Sequence, residues 1–141
     1  MTEVPVAEVN DLLRRAAFGD AGAMSLLAQI ALHVDYASPE TSIVLSEVFS
    51  RLAAYHGRAD DAFRVAQILT AHAAVAKHKG NDALAIDNIA EAMMIFDDLS
   101  EAGDRDAARA LDHLTGAAKQ EGLCEAAIAR AKALGRELSN G

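Results

Sequence analysis

One cysteine, two prolines, two tyrosines and no tryptophan occur in 141 residues. With Cys124 alone, the chain has no internal disulfide and no CxxC metal or redox motif. No apolar run reaches the roughly 18 residues that a membrane-spanning helix needs, and the first residues lack a basic segment followed by an apolar one. A soluble, cytoplasmic chain without a membrane partner is the expectation. Positive charge is also scarce, with 13 Lys and Arg against 21 Asp and Glu and a net charge of −8. Nucleic-acid binding relies on a basic face, so no nucleic-acid partner is expected. Strand signals are missing too: no stretch alternates apolar and polar residues with β-branched or aromatic enrichment. Nor is there a Walker A loop, a GxGxxG after a strand, an HExxH, a GxSxG or an EF-hand loop.

What the chain has in abundance is alanine, 32 residues of 141. Alanine is the best helix former, and 52% apolar against 24% charged residues excludes a disordered chain. An all-α protein of about seven helices follows, with antiparallel hairpins stacked as a short α-α superhelix. Glycines punctuate the pattern: Gly19, Gly22, Gly57, Gly80, Gly103 and Gly122 each follow a helix-like run. Asp20, Asp60, Asn81 or Asp82, and Asp104 then supply caps, and Ser38-Pro39-Glu40 is a strong helix start. The helices so marked are about 3–18, 21–34, 39–56, 60–79, 82–102, 105–121 and 124–138. Most gaps are short enough to force antiparallel neighbours. Residues 1–141 read as a single domain, with 1–35 and 38–141 as possible sub-units about the linker Asp35–Ser38.

Each helix carries one apolar stripe. In the fifth it is Leu84, Ile86, Ile89, Ala90, Met93, Phe96 and Leu99, broad enough for burial between neighbours. In the first it is Val6, Val9, Leu12, Leu13 and Ala16, a candidate contact for a homodimer because a short array leaves its end helices uncovered.

Comparing the chain with itself shows a 42-residue offset that relates Leu69 to Leu111, Lys77 to Lys119, Gly80 to Gly122 and Ala85 to Ala127. Within the first copy, Ala73, Gly80, Ala85, Ile89 and Ala92 resemble a tetratricopeptide repeat, with a small residue in one helix, glycine at the hairpin, and alanine, bulky residue and alanine in the next. The second copy departs at Thr115, Ala131 and Leu134, and both lack the family's aromatic and terminating proline. Phe18-Gly19-Asp20 followed by Leu26-Leu27-Ala28 is similar to the related Sel1-like repeats. The resemblance implies a partner-binding inner face on the first helix of each repeat. Carried over by position, that face holds Gln67, Thr70, Ala74, Lys77 and His78, then Arg109, Asp112, Gly116, Lys119 and Gln120. Lys77, Lys119 and Arg109 would make it locally basic and suited to an acidic protein or peptide partner.

Other candidates have simpler explanations. His33, His56, His72, His78 and His113 are scattered over helices and helix ends, and only His78 and Asp82 approach ligand spacing, across a break. Asp97, Asp98, Glu101, Asp104 and Asp106 lack the alternating pattern of a calcium loop and read as a solvated helix end with a cap. Cys124 at a helix start has no neighbouring histidine. Met93 lies on the apolar stripe, and Arg130, Lys132 and Arg136 suit a helix C-terminus. No cofactor or metal is implied. A non-catalytic interaction module is the expected function. The competing expectations are a small-molecule-binding or enzymatic bundle, whose histidines and carboxylates meet only in the folded chain, and a DNA-binding regulator.

Overall fold

The computed structural model describes residues 6–33, 39–135 and 138. They form α1 (Val6–Ala17), α2 (Ala21–His33), α3 (Pro39–Tyr55), α4 (Ala59–His78), α5 (Asp82–Glu101), α6 (Arg105–Gln120) and α7 (Cys124–Ala133), with no strand among the described residues. The fold is all-α, as the alanine content requires, and its helix ends fall close to the glycine and cap signals. The Asp35–Ser38 linker, the Ser38 cap and Arg136 lie outside the described residues.

The hairpin ends show why the glycines sit where they do. After α4 the Asn81 N–H bonds to the Ala76 carbonyl (2.8 Å), and after α6 the Leu123 N–H bonds to the Ala118 carbonyl (2.9 Å). This six-residue closure requires a left-handed residue in between, and Gly80 (φ 78°) and Gly122 (φ 73°) provide it. Asn81 and Asp104 then cap α5 and α6 by accepting from Leu84 N–H and Ala107 N–H. Three expectations shift. Gly22 sits inside the first turn of α2, and Asp60 lies within α4 beside Arg58 (3.3 Å) instead of capping it. The last helix ends early, because Gly135 (φ 103°) turns the chain just past Ala133.

The chain divides into two compact units, residues 1–65 and 66–141, with the boundary inside α4. In the first unit α2 is central, and α3 and α1 both pack on it. Leu12, Ala23 and Leu27 form a core against which Val9, Ala16, Ile30 and Phe49 pack. Most of the apolar stripe of α1 is thereby covered within the unit, although Leu13 stays exposed. The departure is α3. Its buried face is Ser42, Ser46, Ser50 and Ala53, whereas Val44, Val48, Leu52 and Tyr55 are exposed.

A buried carboxylate with two partly exposed arginine partners also lies in this unit. Asp61 has no solvent exposure, accepts from Arg58 Nε at 2.9 Å and from Arg64 Nη1 at 2.6 Å, and Arg64 Nη1 also reaches Ser50 Oγ at 3.4 Å. Two guanidinium groups thus compensate one dehydrated carboxylate, the condition for keeping a buried charge without a large desolvation loss. The bond to Asp61, and the charge of Asp60, hold the Arg58 guanidinium pKa above its ordinary value. At the start of α2, Asp20 accepts from Ala23 N–H (3.0 Å) and Arg15 Nε (3.0 Å), and these two bonds lower its carboxyl pKa.

In the second unit α5 is the core helix. Ala85, Ala92 and Met93 are fully buried and Ile89 and Phe96 nearly so, and α6 and α7 pack on α5. The two alanines leave room for a neighbouring helix to approach closely, while Met93 and Phe96 provide most of the apolar area. Arg130 Nε of α7 donates to Asp87 Oδ1 of α5 at 2.8 Å, across a separation of 43 residues.

Candidate functional site

The cleft in the second unit runs between α4 and α6 and has a volume of about 490 Å³. Gln67 and Thr70 line it from α4, Ala110, His113, Leu114 and Ala117 from α6, and Phe96 of α5 lies beneath. Phe96, the only aromatic side chain of α5, reaches this position on the buried face that it shares with Ile89 and Met93. The Thr70 hydroxyl donates to the Ala66 carbonyl at 2.8 Å, so its hydrogen is committed to its own helix. Gln67 and His113 are exposed and place polar groups around an otherwise apolar lining.

A smaller recess of about 80 Å³ shares Thr70, Leu114 and Ala117 with this cleft and continues it to Ala74 and Glu121. The order of these residues fixes the helix directions. Gln67 stands with Ala110 and His113 at one end, and Ala74 with Ala118 and Glu121 at the other, so α4 and α6 run the same way. Together the two form one open groove whose α6 edge, from Ala110 to Glu121, is about 16 Å long at the helical rise. The residues that stand together at its two ends are separated by 43 to 47 residues (Gln67 and Ala110 by 43, Ala74 and Glu121 by 47), somewhat more than the 42-residue offset seen in the sequence.

The residues singled out by position along the repeat separate into groups. Gln67 and Thr70 line the groove. Asp112 and Lys119 line another hollow of about 180 Å³, together with Met93, Leu111 and Ile128, on the α7 side of α6. Lys77 Nζ bonds to Asp82 at 3.2 and 3.4 Å, and Arg109 lies 3.8 Å from Asp106, so each of these cations has an acid beside it. His78 is exposed in the last turn of α4. Phe96, His113 and Leu114 were not singled out as groove residues by the repeat positions. Phe96 and Leu114 carried the ordinary signal of an apolar stripe, and His113 carried none.

The remaining chemistry-bearing residues are dispersed. Among the described residues no group of three or more His, Cys, Asp or Glu is placed to hold a metal ion. Cys124 and Met93 are buried. Asp104 caps α6, but Asp97, expected at a solvated helix end, is buried in α5. No helix among the described residues is long and apolar enough to cross a membrane. The chain matches no protein-family model, no curated protein and no solved structure.

Proposed function

We propose that this chain is a non-catalytic interaction module, built like a tetratricopeptide-type array, that takes a segment of a partner protein in the α4–α6 groove. The observation that carries this is the continuity of the groove: two co-directional helices line it, Phe96 and Leu114 give it apolar depth, and it is open along its length. Such a shape accommodates a run of side chains from an extended or helical segment, with Gln67 and His113 available to hydrogen-bond its backbone or polar groups. The 42-residue offset of the sequence and the 43 residues between the paired Asp87 and Arg130 support a repeat-like stacking. Since Lys77 and Arg109 each lie beside an acid, apolar contact in the groove contributes more to such a complex than a basic surface does.

A second use is favoured by one observation, the volume, since about 490 Å³ is also the size of a small-molecule site. One variant addresses both. Ala117 is exposed on the groove wall, so Ala117→Arg fills the groove without disturbing the core. Proteins captured from the native host by the wild-type chain are expected to be lost with A117R, and titration of the purified partner should show at least about tenfold weaker binding. Capture of the same proteins at the same affinity would remove the groove from the account. Loss of a small molecule with no change in captured proteins would assign it to the second use.

A further inference from the structure

The two faces of α3 are occupied in reverse of the usual order. Its buried positions, Ser42, Ser46, Ser50 and Ala53, fall within about 80° of arc around the helix, and the exposed Val44, Val48, Leu52 and Tyr55 span a similar arc on the opposite side. Ser46 and Ser50 have no solvent exposure, while Val44 is 51% and Tyr55 86% exposed. Apolar side chains exposed singly are ordinary, but four in register along three turns, backed by a row of buried serines, form a continuous apolar face.

We propose that this face pairs with the same face of a second copy of the chain, the two α3 helices lying antiparallel about a two-fold axis near the middle of the helix. The sequence of the face is self-complementary in that orientation. A reversed copy sets Val44 against the partner's Tyr55 and Val48 against the partner's Leu52, so a smaller side chain meets a larger one along the whole seam. The charges agree. From Ile43 to Tyr55 the charged residues are Glu47 and Arg51, which sit together at one edge of the face and lie 3.8 Å apart. Reversal brings Glu47 opposite the partner's Arg51 and Arg51 opposite the partner's Glu47. A parallel two-fold would instead place the charged edges of the two copies on opposite sides of the seam, where neither pairing forms. The strip is therefore neutral within a chain of net charge −8, and two copies approach there with least repulsion.

The area fits a weak, reversible contact. Val44, Val48, Leu52 and Tyr55 expose about 450 Å² per copy, so pairing removes about 900 Å² from water, in the range of transient interfaces. A reversible dimer is the result, and Tyr55, the largest contributor, anchors its ends. This dimer involves a different unit from the α4–α6 groove and stands or falls separately from it.

Sedimentation equilibrium of the full chain from about 10 μM to about 1 mM tests it, a range in which an interface of this size fills. The wild type should pass from monomer to dimer. The double variant V48E/L52E should remain monomeric throughout, with an unchanged helical circular-dichroism spectrum, because both positions face solvent in the monomer. R51E alone should raise the dimer dissociation constant about tenfold, and mixing it with E47R should restore pairing between the unlike copies. A wild type that stays monomeric at about 1 mM would overturn the proposal and leave the face to a different protein. Dimerisation of V48E/L52E at wild-type affinity would also overturn it. Failure of the mixed charge variants to prefer one another would overturn the antiparallel orientation.

Discussion

Residues 66–141 and residues 1–65 solve the same problem, packing alanine-rich helices, in opposite ways. In the second unit the large side chains point inward: Ile89, Met93 and Phe96 of α5, with Leu111 and Leu114 of α6, form the core. Alanines there serve only as the places where helices come close. In the first unit, α3 buries serines and an alanine and turns Val44, Val48, Leu52 and Tyr55 outward. Small side chains permit a tight helix seam but remove little apolar area from water, and they bring hydroxyls that need partners. The comparison shows that high helix propensity decides secondary structure alone. Which face of each helix is buried is decided by what its neighbours accommodate.

The comparison is broken most severely at Phe96. Truncation by Phe96→Ala should destabilise the chain by about 3–5 kcal/mol, since it removes the largest buried side chain of α5 and leaves a void beneath the groove. Urea denaturation measures this, read from the midpoint at constant slope. A truncation at the exposed Tyr55 should leave the monomer nearly unchanged in the same experiment.

A smaller effect of opposite sign is expected on the first unit's seam. The buried Ser46 hydroxyl has no hydrogen-bond partner among the described residues. Ser46→Ala should therefore stabilise by about 1 kcal/mol, through removal of a desolvated hydroxyl and a gain in helix propensity. Ser50→Ala, by contrast, loses the contact with Arg64 beside the buried Asp61 and should not stabilise. Equal effects at the two positions would show that the serine row behaves as one uniform surface.

The smallest expected effect is at the cap of α2. The carboxyl of Asp20 has a lowered pKa in the folded chain, so its charged form is favoured by folding. Its contribution is complete above the ordinary carboxyl value of 3.8 and is lost as the pH falls through the lowered one. Asp20→Asn should reduce stability at neutral pH and leave wild type and variant converging in strong acid, in urea titrations across that range.

Most of the fold could be read from the residues themselves. Gly80 and Gly122 with the caps Asn81 and Asp104 mark helix ends through local backbone chemistry, which needs no tertiary information. The groove was only partly legible. Gln67 and Thr70 follow from repeat position, but Lys119 turned to another side of α6 and His113 entered the groove. A rotation of one helix about its axis decides such outcomes, and tertiary packing decides that rotation. On α3 the general rule that apolar stripes are buried does not hold for Val44, Val48, Leu52 and Tyr55. The serine row Ser42, Ser46, Ser50, with Ala53, was the available signal, since small residues at that spacing permit close approach.

The direct test of this contrast is a matched pair of charge insertions, Met93→Glu on α5 and Val48→Glu on α3, compared by thermal unfolding at a concentration low enough to keep the chain monomeric. Met93 is fully buried and Val48 is 44% exposed. Met93→Glu should lose several kcal/mol and its cooperative transition, because an unpaired carboxylate enters an apolar core. Val48→Glu should melt within about 2 °C of the wild type. Comparable destabilisation by both would contradict the account, since it would mean that α3 buries its valine face as α5 buries its methionine.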